Sequence, residues 1–419
     1  MRDFLPADKA RREHVLSVIR RTFREHGFDE IETPVVEDSD RLHAGLGGDN
    51  EKLAFAVMKR SLDRDDLQRA ADNGDYLELA DLGLRFDLTV PLARFYASHR
   101  AELPTVFRSI QIAPVWRAER PQKGRFRQFV QCDIDVIGEA GPLAEIELIT
   151  ATTATLEALG FTGANACTIR INDRRILRRI VGTIGIPDGS YERALIAIDK
   201  EDKIGISGVV EELVGLGLGD AATMTPVLAS LTELPDDGWG LLEEGTQAPE
   251  WLDADAYRDL LAIRDAVGDT ARLVFSPNLV RGMGYYTGTI FEVAHPALPY
   301  SLGGGGRYDG MIGRFLGSEV PAAGISLGFE RLVDLVELPE DETASAVALV
   351  YDADVAPPQL AALKSELIAS GVRTTLARRT KNTTAQLEQL AAAGYPRFAF
   401  VAATTVSARE LEIRNIGAQ

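Results

Sequence analysis

The stretch Val115-Trp116-Arg117-Ala118-Glu119-Arg120-Pro121-Gln122-Lys123-Gly124-Arg125-Phe126-Arg127-Gln128-Phe129 joins two strand-like runs through a loop dense in arginine. Strand character covers 105–138, and its last part, Val130-Gln131-Cys132-Asp133-Ile134-Asp135-Val136-Ile137, alternates polar and apolar residues. Successive side chains of a strand point to opposite faces. The run therefore predicts one buried side and another that offers Gln131, Asp133 and Asp135 to a cleft. The same spacing argument puts Arg117 and Glu119 on one face. A basic loop returning with an aromatic residue, Phe129, can clamp phosphates and stack a base. Taken alone, the pattern is equally compatible with a solvated hairpin of ordinary surface charge.

Upstream, Val15, Val18, Ile19, Thr22 and Phe23 fall on one helical face, and Gly27 follows as a stop. Phe28 to Val36 reads as a strand interrupted by Pro34, which suits an edge. Residues 84–98 also carry strand-like runs, and 143–159 read as helix. From about 172 to 270 the texture changes to short helical segments, read as an inserted, mainly helical subdomain. Strand character resumes at Leu279–Val293. Gly303-Gly304-Gly305-Gly306 then reads as a turn, serving either close backbone approach or a plain bend, and an apolar helix begins near Gly328. Pro339 to Ala344 is a polar linker. Beyond it, strands at 346–351, 372–376, 398–401 and 411–416 alternate with helices around Leu360, Leu363 and Leu367 and at 384–393. That order predicts a small parallel or mixed sheet.

With 419 residues the chain accommodates two or three domains with full cores. Hydrophobic residues at 45% and charged residues at 26% mark a globular class. No apolar run reaches the roughly 18 residues of a membrane span, and the N-terminus has no apolar stretch of signal-peptide type. Cys132 and Cys167 cannot build a disulfide framework, and the histidines never take a metal-ligand spacing, so no structural metal is expected. A reducing, cytoplasmic setting fits these features. The net charge of −18 speaks against nucleic acid as a partner only until its distribution is read. Acid concentrates at 233–255, while Arg108, Arg117, Arg120, Lys123, Arg125 and Arg127 form a basic strip opposed only by Glu119.

No G-x-x-x-x-G-K-[ST] loop and no G-x-G-x-x-G between strand and helix is present. A bound nucleotide would need arginines and a metal ion for its phosphates. No Ser/His/Asp or Cys/His pattern recommends covalent catalysis.

Several blocks together resemble the class II aminoacyl-tRNA synthetases, and specifically the histidine–tRNA ligases, over nearly the whole chain. They are Arg2-Asp3-Phe4-Leu5-Pro6, the helix and strand ending at Pro34, Leu84-Arg85-Phe86-Asp87-Leu88-Thr89, and the 117–129 stretch. Leu279-Val280-Arg281-Gly282-Met283-Gly284-Tyr285-Tyr286-Thr287-Gly288 and Gly324-Ile325-Ser326-Leu327-Gly328-Phe329-Glu330-Arg331-Leu332 complete the set. The Arg-Gly-x-x-Tyr-Tyr block is particular to the histidine enzymes.

The resemblance implies an α+β fold. An antiparallel-sheet catalytic domain flanked by helices would span 1–338, with the insertion at about 172–270. An α/β anticodon-binding-like domain would span 345–419 and be shortened at its end. It implies L-histidine, ATP with Mg²⁺, and tRNA(His) as ligands, a homodimer, and no membrane. Arg117 would bind the α-phosphate, with Arg281 facing it from the other side. Arg125 and Arg331 would hold the β- and γ-phosphates, Phe129 would stack on adenine, and Glu119 would fix the adenine end or a metal. Asp87, Gln131 and Asp135, with Thr89 nearby, would receive the amino group and ring of histidine. Tyr285 and Tyr286 would close the imidazole pocket, the alternative being core aromatics. Arg373, Arg378, Arg379 and Lys381 would contact tRNA phosphates, the alternative being a solvated face.

In this family Gly284 stands where Asp is usual, and a Gly-Thr usually precedes the Arg-Asp-Phe-Leu-Pro start. Two other readings share the fold. One is the synthetase-like regulatory subunit of ATP phosphoribosyltransferase, and the other is a paralogue adenylating an amino acid for another purpose.

Overall fold

The computed structural model describes residues 1–44, 54–120, 126–235, 237–243, 245–281, 285–337 and 346–417. The chain forms two compact units: Met1–Arg2 with Val15–Val336, and Asp3–His14 with Glu337–Gln419. The strands of the first unit are β1 (Asp29–Glu30), β2 (Val36–Asp38), β3 (Phe55–Met58), β4 (Ala80–Leu84), β5 (Phe107–Trp116) and β6 (Gln128–Ile137). They continue as β7 (Thr168–Asp173), β8 (Leu273–Phe275), β9 (Thr289–Ala294), β10 (Gly303–Arg307) and β11 (Ala322–Gly328). Eight of them make one sheet in the order β1-β5-β6-β11-β10-β9-β7-β8. The pairs at the two edges, β1 with β5 and β7 with β8, are parallel, and all pairs between them are antiparallel.

Alternation along these strands separates two faces. On one, Ile134, Ile325, Phe291 and Ile171 stack across neighbouring strands into the main apolar cluster. The helix Pro6–Glu25 brings Val15, Val18, Ile19 and Phe23 to this cluster, and the helix Leu143–Ala158 adds Leu148 and Ile149. Gly27, at φ +83°, ends the first helix region in a conformation that favours glycine. Arg307 clasps Glu145 through Nε and Nη2, each at 2.7 Å, and so fastens β10 to the helix Leu143–Ala158.

The opposite face is polar at its centre. Its end is closed by the helices Thr89–His99 and Asp309–Leu316, which share a second cluster with Leu92, Tyr96, Phe107, Tyr308 and Ile312. The expected strand character over 84–98 therefore ends at Leu84, and a helix runs from Thr89. Asp87 Oδ1 accepts from the Val90 amide at 3.2 Å, satisfying one of the donors exposed at the start of that helix. Among the described residues of 279–293, strand structure is likewise confined to β9.

The segment from Phe28 to Val36 splits around Pro34 into β1 of the large sheet and β2 of a small sheet ordered β2-β4-β3. Buried Arg85 explains the bend. Its Nη1 donates to the carbonyl oxygen of Thr33 at 2.7 Å and Nε donates to that of Pro114 at 2.9 Å.

Between β7 and β8 the chain makes the helices Arg174–Thr183, Tyr191–Ile198, Glu201–Gly215, Ala221–Ser230 and Ala254–Val267. Among the described residues they carry no separate core. Ile176, Leu195, Leu213, Met224 and Tyr257 belong to the same cluster as the sheet. Among the described residues no helix is long and apolar enough to cross a membrane.

The second unit holds β12 (Val347–Tyr351), β13 (Thr374–Arg378), β14 (Arg397–Val401) and the short β15 (Arg414–Asn415), in the order β13-β12-β14-β15. The first three are parallel and β15 is antiparallel. The helix Pro357–Ala369 packs Leu360, Leu363 and Leu367 with Val347 and Leu349, while Leu387 and Leu390 of the helix Thr383–Ala392 meet Ala348, Val350 and Phe398. The expected linker Pro339 to Ala344 lies outside the described residues.

Gly303–Gly306 corrects the expected turn: these residues are the body of β10, in the middle of the large sheet. A run without side chains leaves room for Arg281 and Tyr286 against one face and for Phe291 and Leu327 against the other. A Cβ on Gly305 would lie 2.0 Å from the Gly324 carbonyl oxygen and 2.8 Å from Phe291. Gly305→Ala is expected to destabilise the protein by about 3 kcal/mol. Gly310→Ala, where a Cβ meets nothing within 4 Å, should change stability by less than about 1 kcal/mol. Urea denaturation midpoints test this, and equal midpoints for the two variants would refute the packing argument.

Candidate active site

The polar face is organised as a cross-strand row. Gln111 on β5 opposes Asp133 on β6, Asp133 opposes Ser326 on β11, and Ser326 opposes Gly304 on β10. Gly304 opposes Glu292 on β9, and Glu292 opposes Arg170 on β7. Directly opposed residues share a face, so six strands present one continuous line of polar groups with a gap at Gly304. The neighbouring row runs Ser109, Asp135, Gly324, Gly306.

Arg281 fills the gap. A Cβ on Gly304 would lie 2.4 Å from its Cζ, so only glycine leaves room for the guanidinium there. Arg281 donates to Glu292 Oε2 through Nη2 at 2.7 Å and Nε at 3.1 Å. Nη2 also donates to Ser301 Oγ at 2.7 Å. Arg331, on the helix Phe329–Leu335, donates Nη1 to the carbonyl oxygen of the same Ser301 and lies 4.7 Å above the Tyr300 ring. Two arginines from distant parts of the chain thus meet on one dipeptide.

Beside them is a cluster of acids and phenols. Asp135 accepts from the Tyr308 hydroxyl at 2.6 Å, and a Cβ on Gly324 would lie 1.9 Å from Asp135 Oδ1. Gln131 Nε2 donates to Ser326 Oγ at 3.0 Å and lies 3.4 Å from both Asp133 oxygens. Tyr285 donates its hydroxyl to that of Tyr286 at 3.2 Å, with ring centroids 4.4 Å apart.

The carboxyls depart from ordinary values. Burial pushes Asp87 up to about 6, against the pull of the Val90 amide and Arg117. Burial pushes Asp135 up to about 7, against the pull of the Tyr308 hydroxyl. Asp133 stands well above the usual carboxylate range, through burial first and the Asp135 charge second. Burial also raises the Tyr285 and Tyr286 hydroxyls, with Arg281 opposing the rise at Tyr286. Each acid or phenol here feels at least one other of the set, so the structure gathers Asp87, Asp133, Asp135, Tyr285 and Tyr286 with Arg117 and Arg281 into one electrostatic neighbourhood.

Arg117 lies just past the end of β5. Its Nε donates to the Phe86 carbonyl oxygen at 3.0 Å, and its guanidinium stands 5.1 Å from the Phe129 ring. The strand ends at Trp116, so Arg117 and Glu119 do not share a strand face as expected. Half-buried Glu119 follows in the loop, where its carbonyl oxygen accepts from Arg127 Nε at 3.2 Å. Thr89 opens the helix Thr89–His99 two residues after Asp87. Arg125 lies outside the described residues, as does Gly284. In the second unit Arg373, Arg378, Arg379 and Lys381 are exposed, with Arg379 4.8 Å from the Phe400 ring and Arg373 4.6 Å from the Tyr395 ring.

The alternation of β6 did point to Asp133, yet both sides of that strand are buried from Gln131 onward, so its polar side is enclosed rather than open. Among the described residues Asp87 and Asp135 form no ion pair with an arginine; an amide and a hydroxyl hold them. Sequence reasoning missed Glu292, Ser301, Tyr308 and Glu330. Glu330 is buried, accepting from the Val130 amide at 3.2 Å and from Arg2 at 2.7 Å. Alternation in Phe291-Glu292-Val293 is a signal for Glu292, but it names no partner. Cys132 is a core residue.

Residues 1–332 match the family described as Histidyl-tRNA synthetase. The histidine–tRNA ligase of Leifsonia xyli subsp. xyli (strain CTCB07) is 61% identical over 411 residues, covering 97% of this chain and 95% of that protein. A probable histidine–tRNA ligase of Tropheryma whipplei (strain Twist) is 40% identical, covering 96% and 94%. The crystal structure of histidyl-tRNA synthetase from Nostoc sp. PCC 7120 superposes with a TM-score of 0.75 at 25% identity, over 99% of this chain and 93% of that one. A Bacillus halodurans structure described as an ATP phosphoribosyltransferase regulatory subunit/histidyl-tRNA synthetase gives 0.71 at 20% identity, over 93% and 94%, and shows the fold alone. The regulatory-subunit reading is not favoured beside a ligase of 61% identity. A polar row bridged by Arg281, a matched profile and full-length relatives converge on one statement: this chain belongs to the histidyl-tRNA synthetase family.

Proposed function

We propose that this chain activates L-histidine with ATP to histidyl-adenylate and transfers the histidyl group to tRNA(His). The observation that carries the mechanism is Arg281, which touches the Ser301 turn shared with Arg331 and whose charge is also felt at Tyr286. Phosphate-holding and substrate-holding groups therefore meet at one guanidinium.

In the first step an oxygen of the histidine carboxylate attacks the α-phosphorus, the bond to the β-phosphate oxygen breaks, and pyrophosphate leaves. No protein nucleophile is needed. Charge builds on the phosphoryl oxygens, and fixed guanidinium groups stabilise it, each worth roughly 3–4 kcal/mol of barrier. Arg117 and Arg281 would take the α-phosphate, Arg331 and Arg125 the distal phosphates, and Phe129 the adenine face. In the second step a hydroxyl of the terminal tRNA ribose attacks the activated carbonyl and AMP departs. Mg²⁺ would neutralise phosphate charge. Among the described residues no group of three His, Cys, Asp or Glu side chains could cage a metal, so ATP's own oxygens with Glu119 would hold it.

Asp87, Thr89, Gln131 and Asp135 would receive the ammonium and imidazole N–H groups, with Tyr285 and Tyr286 closing the ring pocket. A site with three enclosed carboxyls favours a substrate that brings positive charge or N–H donors. Arg373, Arg378, Arg379 and Lys381 would meet tRNA phosphates. Domain limits at 1–338 and 345–419 belong to this reading, as does a cytoplasmic setting.

A homodimer is part of it as well. Val36 and Leu82 are each 39% exposed on one side of the small sheet, an apolar surface suited to a second copy. Light scattering should give about twice the chain mass, and a monomer at working concentration excludes the dimer.

Histidine-dependent ATP–pyrophosphate exchange tests the first step, and charging of tRNA(His) the second. R281A should lower exchange by about 10²–10³-fold, whereas R379A should leave exchange unchanged and raise KM for tRNA. Exchange by R281A at the wild-type rate would end the assignment.

The pH dependence carries its own test. The Tyr308 hydroxyl holds the Asp135 pKa down, so its removal raises that pKa further. The carboxylate form then appears only at higher pH. In Y308F the acid limb of kcat/KM for histidine should move upward, and comparison with wild type cancels the titration of histidine itself. An unmoved or lowered limb contradicts the role given to Asp135. For folding the sign is the reverse. A raised carboxyl pKa stabilises the ligand-free protein at low pH, and this contribution is lost as pH rises towards about 7.

A further inference from the structure

Glu292 has no role in the reaction as derived so far, yet its position is unusually constrained. It is half-buried on β9, directly opposite Gly304 on one side and Arg170 on the other. Its Oε2 takes both Nε and Nη2 of Arg281, while Oε1 stands 4.0 Å from Arg170 Nη1. Ser301 Oγ takes a further hydrogen of Nη2. Among the described residues Nη1 of Arg281 has no hydrogen-bond acceptor, so it is the nitrogen left for a ligand.

An arginine side chain has many rotamers, and holding it in one costs conformational entropy. Here the chain below it is bare at Gly304, and packing alone would not stop the guanidinium from turning. A carboxylate gripping Nε and Nη2 at once does stop it, because the fork is planar and its rotation would break both bonds. The grip also leaves the guanidinium charged and aimed, ready for an anion without reorganisation.

We propose that Glu292 is the positioning residue of the adenylation site, holding Arg281 over Gly304 with Nη1 turned to the α-phosphate. This rests on the reading of the chain as a histidine-activating enzyme and on the role given there to Arg281. Glu292 touches no reacting atom. It acts through Arg281, and a residue that acts through another has no effect of its own once the other is gone.

The experiment is a double-mutant cycle in histidine-dependent ATP–pyrophosphate exchange with E292A, R281A and the pair, each checked by thermal melting. E292A is expected to lose about 10²-fold in kcat, the scale of a misplaced catalytic group. E292Q, which keeps one acceptor oxygen and loses the charge, should fall between E292A and wild type and covers the case of a poorly folded E292A. In the R281A background E292A should cost less than about twofold more. Two results overturn the proposal while leaving the enzyme reading intact: near-wild-type kcat in both Glu292 variants beside an impaired R281A, or losses that multiply in the double variant. Wild-type exchange by R281A would overturn the assigned role of Arg281, and the proposal with it.

Discussion

Arg281 lies against bare backbone at Gly304, and the architecture of the first unit follows from making that contact possible. The guanidinium needs a floor with no Cβ, a carboxylate beside it and an acceptor in front. Gly304 supplies the floor, Glu292 the carboxylate and Ser301 the hydroxyl. All three are placed by strands β9 and β10 and the turn between them. A glycine strand is intrinsically weak, because it loses most entropy on ordering and has nothing to pack. It holds here because strands lie on both sides of it and the Arg307–Glu145 pair ties its end to a helix.

The same bareness shapes the cluster of acids and phenols. Gly324 leaves room for Asp135, and Gly306 for the Tyr286 ring. Around this space the protein concentrates carboxyls that repel one another and are deprived of water. Such an arrangement disfavours the empty charged state, which is why the carboxyl pKa values rise. A ligand carrying an ammonium group and N–H donors relieves that strain. The burial that raises these carboxyl pKa values is thus also what makes the space receptive to a positive group.

The helices between β7 and β8 share the apolar core of the sheet, so separating them from it would expose that core. Their chain also reaches the loop that carries Arg281. Asn278 donates to Glu201 at 2.8 Å, and the Arg281 charge is felt at Asp199. The helical side thus touches the chain three positions before Arg281 and lies within reach of its charge.

The order of elements was legible from residues alone where patterns are local. Val15, Val18, Ile19 and Phe23 announce their helix, the 130–137 alternation announces its strand, and the four strands of the second unit lie close to where periodicity puts them. Motif residues such as Arg117, Arg281 and Tyr286 were legible too, because their types and spacing are distinctive. That both faces of β6 are enclosed, that four glycines extend rather than turn, and which acid holds Arg281 were not. Those outcomes depend on what neighbouring strands, tens or hundreds of residues away, bring opposite each position. Gly303–Gly306 has no side chain to bias it, so only pairing with β9 and β11 makes it a strand. Glu292 reads as one more alternating polar residue until cross-strand register sets it beside Gly304. Local chemistry belongs to the sequence, whereas register, and with it the site, belongs to the sheet.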